Sequence, residues 1–299
     1  KNLLNKRECV AIPTETVYGI AGNAYSDIAC RKIFKLKNRP KNNPLIVHYY
    51  NLKRLEDDCK FNMDFLKLYK RFCPGPITFI LNLKKDSKIS KIVTNKNNTL
   101  AVRFPNHPVT KNLLKRLEFP IAAPSANISS RVSAVTSADV KDDFGKKIKY
   151  VLEGGKSIIG IESTIIDLRE KPKILRLGGL EIKSIQKILK RKISMNINPS
   201  KIHAPGQLKI HYSPGIPIRL NVGKLKKNEA YLLINKKKIN KSNYFFLSKT
   251  GNLKEAAKNL YSTLRKIKKN NYKSIAVSKI PNKGFGKTIN DRLIRASKF

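Results

Sequence analysis

Two cations separated by one residue, Lys37 and Arg39, stand ahead of a rigid Arg39-Pro40 junction, and Asn43 and then His48 follow at the end of an apolar run. Arg supplies a planar fork of donors and Lys a point charge, so the pair suits a triphosphate. Another guanidinium, Arg103, lies inside the apolar segment TLAVRFPNHP (99–108). A buried guanidinium needs a partner, and a ligand carboxylate and an internal Asp or Glu are the two candidates. PTETVYGIAG (13–22) closes the first expected strand with hydroxyls and a carboxylate, and small hydroxyl residues gather in APSANISSRVS (123–133) and GIESTIIDL (160–168), where backbone or a nucleotide can approach closely. ILRLGG (174–179) adds Arg176 before a glycine pair, and FCPGPITFIL (72–81) is turn chemistry ahead of a strand. Taken singly, each basic segment reads as a solvated loop. His107 and His203 read as surface or structural residues rather than catalytic ones.

Other chemistries are excluded by spacing. GFGKT (284–288) ends like a phosphate-binding P-loop, but Pro281 stands five residues before Gly286, where the leading glycine belongs. There is no GxSxG elbow, no HExxH pair and no acidic metal cluster. Cys9, Cys30, Cys59 and Cys73 form no CxxC pair and have no His at zinc-ligand spacing, so they read as reduced, mostly buried thiols. With 63 Lys+Arg against 20 Asp+Glu, the net charge is +43. Such a field attracts polyanions and predicts salt-dependent nucleic-acid binding. The excess is mainly Lys, accompanied by abundant Asn and Ile, as a drift toward A- and T-rich codons would produce. Both origins of the charge stay open at this point.

These segments need a scaffold. A chain of 299 residues that is 40% hydrophobic can bury a substantial core and is near the size at which one core divides into two. Strand-like and helix-like segments alternate: strands are expected over 8–13, 45–49, 78–83, 100–104, 121–123, 150–152 and 163–168, with helices over 27–36, 62–72 and 109–117. Residues 182–190 carry a helical spacing, after which periodicity fades and Pro199, Pro205, Gly206 and Pro214 accumulate. Beyond them, strands over 217–222, 230–235, 244–248 and 274–278 and helices over 252–268 and 288–297 make a small open α/β unit. The expected division is 1–194, a linker over 195–215, and 216–299. No stretch has the roughly 18 to 20 apolar residues of a membrane helix, and the start lacks the apolar region of a secretory signal, so a cytoplasmic protein is expected. The chain opens on Lys1 rather than on methionine, as a trimmed piece would.

In order along the chain, PTETVYG, KNRPxxNPLIVH, PGPIT, VRFPNHP, APSANIS, GIESTIID and ILRLGG resemble the YrdC-like threonylcarbamoyl-AMP synthases over almost all of residues 8–180. APGQLKIHYSP (204–214) and GFGKTINDRLIRAS (284–297) resemble the longer, two-domain members. The resemblance implies an α/β fold: a large YrdC-like twisted mixed-sheet domain with a smaller Rossmann-like α/β C-terminal domain. It implies that L-threonine, bicarbonate and ATP become threonylcarbamoyl-AMP and pyrophosphate, the first step of threonylcarbamoyladenosine modification of tRNA. Threonine would be held by Thr16, His48, Arg103 and Ser163, and ATP by Lys37, Arg39, Asn43, Thr99, Ser125, Asn127, Ser133, Arg176 and Tyr212. No side chain would be a nucleophile, Mg2+ would be held through phosphates, and the linker with His211 and Tyr212 would fold over the site as a lid. Threonylcarbamoyl-transfer proteins, and tRNA or double-stranded RNA, are the implied macromolecular partners. The chain departs from the family at Asn38 and Ser130, where Gly is usual, at Cys73, where an aromatic is usual, and at Leu177, where Pro is usual. The alternative function is a noncatalytic double-stranded RNA or tRNA binder on the same fold.

Overall fold

Alternation of side chains along short strands gives the first lobe one face for a core and one for a site. The computed structural model describes residues 1–197, 199, 210–235 and 241–298. In chain order the first lobe holds α1 (Asn2–Asn5), β1 (Val10–Ile12), β2 (Gly19–Asn23), α2 (Asp27–Lys37), β3 (Ile46–His48), α3 (Leu52–Glu56) and β4 (Cys59–Lys60). There follow α4 (Met63–Phe72), β5 (Ile77–Leu83), α5 (Lys91–Thr94), β6 (Thr99–Arg103), α6 (Pro108–Lys115) and β7 (Ile121–Ala122). The lobe ends with α7 (Ser137–Phe144), β8 (Thr164–Asp167), β9 (Lys173–Arg176), α8 (Ile182–Leu189) and β10 (Ser194–Met195).

The strands form one mixed sheet in the order β1-β2-β7-β3-β6-β5-β8-β9-β10, with β4 on the end of β5. Strand β3 runs parallel to β6, and β5 parallel to β8. Val47, Phe79, Leu100, Val102 and Ile166 point into the main core, which also takes Ile33 and Phe34 of α2, Phe65 and Leu68 of α4, and Ile185 of α8. Their neighbours Ile46, Ile80, Ala101, Ile165 and Leu175 form a separate apolar cluster on the opposite face. The period of two thus leaves that second face to carry Thr99, Arg103 and His48.

Helix α2 ends where the Lys37-Arg39 pair must be aimed. Asn38 closes it in the left-handed region (φ 49°, ψ 45°), and the Arg39 N–H returns to the Phe34 carbonyl at 3.0 Å. Asn tolerates that conformation better than most residues other than glycine. Ser130, the other departure at a usual glycine, also has positive φ, 66°.

Two expectations need correction. The segment 13–22 does not merely close the first strand: Gly19–Asn23 is itself a strand, antiparallel to β1 and β7. Its Gly and Ala content gives no β-propensity signal. Close approach explains the glycines instead, since a Cβ on Gly22 would come within 3.1 Å of Ile33 Cδ1. Residues 150–152 form no strand, and Val151 makes only an isolated bridge to Ala11.

The second lobe is a parallel sheet, β11 (Ile218–Arg219), β12 (Glu229–Asn235), β13 (Tyr244–Ser248) and β14 (Ser274–Val277), ordered β11-β14-β12-β13. Helices α9 (Leu253–Lys269) and α10 (Phe285–Ala296) accompany it. Ala256, Ala257, Leu260, Tyr261, Leu264 and Ile267 of α9 are buried at helical spacing, the amphipathic stripe that docks a helix on a sheet. Val17, Val132, Val135 and Ile161 of the first lobe pack into the same cluster, so one core runs across the seam. The GFGKT segment is the start of α10. No helix among the described residues is long and apolar enough to cross a membrane.

Candidate active site

Parallel pairing of β3 with β6 sets His48 opposite Arg103 at the strand ends. The Arg103 guanidinium donates to Glu15 Oε1 at 2.8 Å, and Glu15 Oε2 accepts from the Asn106 N–H at 2.9 Å. Arg103 Nε and His48 Nδ1 are buried without a partner among the described residues. Of the two candidate partners for Arg103, the internal carboxylate is present: Glu15 holds one amine, and Nε is left without a partner among the described residues. Burial, then the nearby Arg103 charge, holds the His48 imidazole well below its usual range, so it is neutral at pH 7.

Across the face, a register shift between Ile165 and Ile166 lets β9 turn Arg176 inward. Its Nε and one amine donate to the Ser163 carbonyl at 3.0 and 2.9 Å, and the same amine reaches Ser163 Oγ at 3.0 Å. Ser163 Oγ also meets Thr78 Oγ1 at 2.7 Å. Gly178 makes this packing possible, because a Cβ there would lie 2.4 Å from the backbone of 162–164.

Arg39 is held by neutral groups: the Asn43 carbonyl at 3.0 Å, Asn43 Oδ1 at 2.7 Å and the Pro44 carbonyl at 2.8 Å. Burial and the neighbouring Arg176 push its pKa down to about 9, which leaves it charged at pH 7. Two like charges close together in a buried site favour an anion between them. Lys37 Nζ donates to the carbonyls of Ser125 and Asn127, and burial, then Arg39, holds its pKa well below the usual lysine range. Asn127 Nδ2 donates to Ile128 and Arg131 carbonyls, while Asn127 Oδ1 and Asn43 Nδ2 have no partner among the described residues.

Arg39, His48, Arg103, Ser125, Ser163, Arg176 and Tyr212 line one cavity of about 40 Å³, together with Glu162 and His211. Other residues singled out from sequence are placed differently. Thr16 is fully buried, with Oγ1 against Thr14 Oγ1 at 2.8 Å, and it is Thr14 that lines the cavity. Lys37, Asn43, Asn127 and Ser133 are buried and do not line the cavity; Ser133 Oγ donates to the lining Glu162 Oε1 at 2.6 Å. Thr99 begins β6 and shares a face with Arg103, but four residues of strand, about 13 Å, separate them.

His211 and Tyr212 wall one side of the cavity. Tyr212 has φ 65° and is 1% exposed; its ring stacks on His211 at 3.9 Å and on Tyr261 at 5.8 Å. The Arg292 guanidinium lies 4.6 Å from the Tyr212 ring centroid, and the Tyr212 hydroxyl has no partner among the described residues. Ser213 bridges to Arg131, its N–H donating to the Ser130 carbonyl at 2.8 Å. Linker residues 204–209, and His203, lie outside the described residues.

Glu15, Glu162, Tyr261 and Arg292 are the functional candidates that sequence reasoning missed. The two glutamates sit within PTETVYG and GIESTIID, and scarce carboxylates in a chain this basic were the available signal. Tyr261 and Arg292 reach the site from the other lobe; Arg292 lies in GFGKTINDRLIRAS (284–297), but nothing in that segment tells which first-lobe group it meets. Glu162 lines the cavity, but it is already engaged by Ser133, Tyr261 and Arg292. Among the described residues no cluster of His, Cys, Asp or Glu is placed to hold a metal. This donor set does not fit a protein-held ion.

A family model described as "Telomere recombination" matches residues 2–178, and one described as "Threonylcarbamoyl-AMP synthase, C-terminal domain" matches 180–298. The threonylcarbamoyl-AMP synthase of Pyrococcus abyssi is 35% identical, covering 98% of this chain and 92% of that protein. That of Bacillus subtilis is 33% identical, covering 99% and 91%. The crystal structure of P. abyssi Sua5 complexed with L-threonine matches with a TM-score of 0.91 at 33% identity, over 99% of this chain and 92% of that one. With both lobes matched in sequence and in fold, the chain belongs to the two-domain threonylcarbamoyl-AMP synthase family.

Proposed function

We propose that this chain is an L-threonylcarbamoyladenylate synthase, an ATP-using nucleotidyltransferase that supplies the activated intermediate for threonylcarbamoyladenosine in tRNA. The observation that carries the reading is one buried cavity lined by three guanidiniums, Arg39, Arg103 and Arg176, whose lining carboxylate, Glu162, is already engaged. Such a cavity selects polyanions and carboxylates.

Chemically, the threonine amine bonds to the carbon of bicarbonate, with loss of water, or of dissolved carbon dioxide. A carbamate oxygen then bonds to the α-phosphorus of ATP as the α-β bridging oxygen leaves with pyrophosphate. Arg103, held at one amine by Glu15, presents its free Nε to the threonine carboxylate, while neutral His48 and the hydroxyls of Ser163 and of Thr14, which Thr16 supports from behind, take its polar atoms. Arg39 and Arg176 face the phosphates and stabilise charge as it moves to the leaving group. Lys37 shapes the 125–127 loop, and Asn43, Asn127, Ser125 and Ser133 complete the nucleotide walls. Thr99 would meet the far end of a nucleotide lying along the face over Ile46 and Ala101. Magnesium enters as part of the ATP substrate.

A cavity of about 40 Å³ is far below the roughly 300–1,000 Å³ of ligand pockets. His211 and Tyr212 must therefore move before ATP enters, and they can return to exclude water from a hydrolysable mixed anhydride. This is the lid role of the linker, between lobes taken as 1–194 and 216–299. Threonylcarbamoyl-transfer proteins acting on tRNA, in the cytoplasm, would consume the product.

Mass spectrometry of the nucleotide formed from ATP, threonine and bicarbonate tests the reading. Threonylcarbamoyl-AMP with matching pyrophosphate release is expected. Absence of both from folded protein overturns it and leaves the noncatalytic RNA binder, for which the +43 charge is the support.

A further inference from the structure

Arg292 of α10 is a buried charge of the second lobe, at 1% exposure, and it faces the first lobe. Its Nε donates to Glu162 Oε2 at 3.0 Å, an amine donates to the Leu177 carbonyl at 2.6 Å, and its face covers the Tyr212 ring at 4.6 Å. Each contact reaches a residue assigned to the nucleotide: Glu162 accepts from Ser133, Leu177 follows Arg176, and Tyr212 is the proposed lid. Tyr261 of α9 adds a hydroxyl to the same carboxylate at 2.8 Å and stacks on Tyr212. Glu162 then passes the constraint to Ser133 through its other oxygen, at 2.6 Å. Close packing fixes the seam beside this cluster, because a Cβ on Gly160 would lie 2.2 Å from the Lys258 carbonyl.

A carboxylate gripped by three donors is a fixed charge rather than a proton acceptor. Buried ion pairs contribute little net stability compared with apolar packing, so one that joins two lobes at a cavity wall points to a positioning role. We propose that Arg292 and Tyr261 are positioning residues of the adenylate-forming site. Through Glu162, the Leu177 carbonyl and Tyr212 they hold Ser133, Arg176 and the lid in register for ATP, so the second lobe is a working part of the nucleotide site. This rests on the activity proposed above.

The test uses full-length Tyr261→Phe, which keeps the stacking ring and deletes only the hydroxyl, and Arg292→Lys, which keeps the charge and deletes the fork. Arg292→Lys is expected to raise the KM for ATP about tenfold, the worth of one charge-assisted hydrogen bond. Tyr261→Phe should raise it about threefold, and calorimetric threonine affinity should stay within about twofold in both. A merely structural role would lower the folded fraction without separating the two substrates. If folded Tyr261→Phe or Arg292→Lys shows a wild-type KM for ATP and a wild-type kcat, the proposal is overturned. Should neither variant fold, hydrogen exchange on the wild-type chain decides. A nonhydrolysable ATP analogue with threonine must change exchange in 285–296, and a response confined to the first lobe and linker overturns the proposal. A wild-type chain that forms no threonylcarbamoyl-AMP overturns the activity itself, whereas an active wild type with unaffected variants sinks only the positioning role.

Discussion

The site face of the first sheet and the seam between the lobes are both buried and charged, yet they handle their polar atoms in opposite ways. On the face, Arg103 Nε, His48 Nδ1 and Asn43 Nδ2 lack partners among the described residues. At the seam, the Glu162 carboxylate is engaged at both oxygens, and Arg265 donates to Asp143 at 2.7 and 3.1 Å and to the Val132 carbonyl at 2.7 Å. Leaving a buried polar group unpaired is costly unless a ligand completes it. On the function proposed above, the difference separates groups kept for substrate from groups that hold the frame.

If that separation is right, substitution on the face should act first on binding. Arg103→Ala removes the proposed threonine fork and strands Glu15, which is 2% exposed. Threonine affinity should fall by about 4 kcal/mol, roughly a thousandfold. Calorimetry with wild-type affinity for threonine would show that Arg103 belongs to the frame instead.

The seam should show itself in acid stability. Burial alone would raise the Glu162 carboxyl, but Arg292 and Arg176, with hydrogen bonds from Ser133 and Tyr261, hold it down to about 2. A folded-state pKa below the unfolded value gives stability that is complete above about 4.5 and is lost as pH falls from there toward about 2. Its full size is on the order of 3 kcal/mol. Glu229, held to about 2 chiefly by the Arg219 hydrogen bond, titrates in the same window but within the second lobe. The decisive quantity is therefore the difference between wild type and Glu162→Gln in denaturant unfolding from pH 5 to pH 2.5. Parallel curves for the two proteins would mean that Glu162 is not held by the seam.

The same contrast explains what the sequence could and could not disclose. The TLAVR strand was readable because its period of two separates Leu100 and Val102 from Ala101 and Arg103. Helix α2 was readable through its own spacing, and Asn38, a departure from the usual glycine, closes it in the left-handed region that asparagine tolerates. Side-chain direction was harder to read. Thr16 turns behind Thr14, and Lys37 points to the carbonyls of Ser125 and Asn127, because burial and loop geometry decide between neighbours of similar chemistry. The seam was invisible: Glu162 meets Tyr261 across 99 residues and Arg292 across 130, and no local pattern marks such pairs.

The smallest effect concerns the place where linker and face join. Ser130 holds φ 66° while its carbonyl accepts from the Ser213 N–H at 2.8 Å. A non-glycine residue in the left-handed region costs about 1–2 kcal/mol, and replacing it with glycine returns roughly 0.4–1 kcal/mol of entropy to the unfolded chain. The relief exceeds the entropy, so Ser130→Gly should stabilise the protein by about 0.5–1 kcal/mol, read as a raised denaturant midpoint at unchanged slope. Among the described residues the Ser130 side chain makes no hydrogen bond whose loss would offset that gain. A lowered midpoint would mean that serine holds the 130–132 turn for the linker at a strain the frame tolerates, and would move this turn from the frame to the lid.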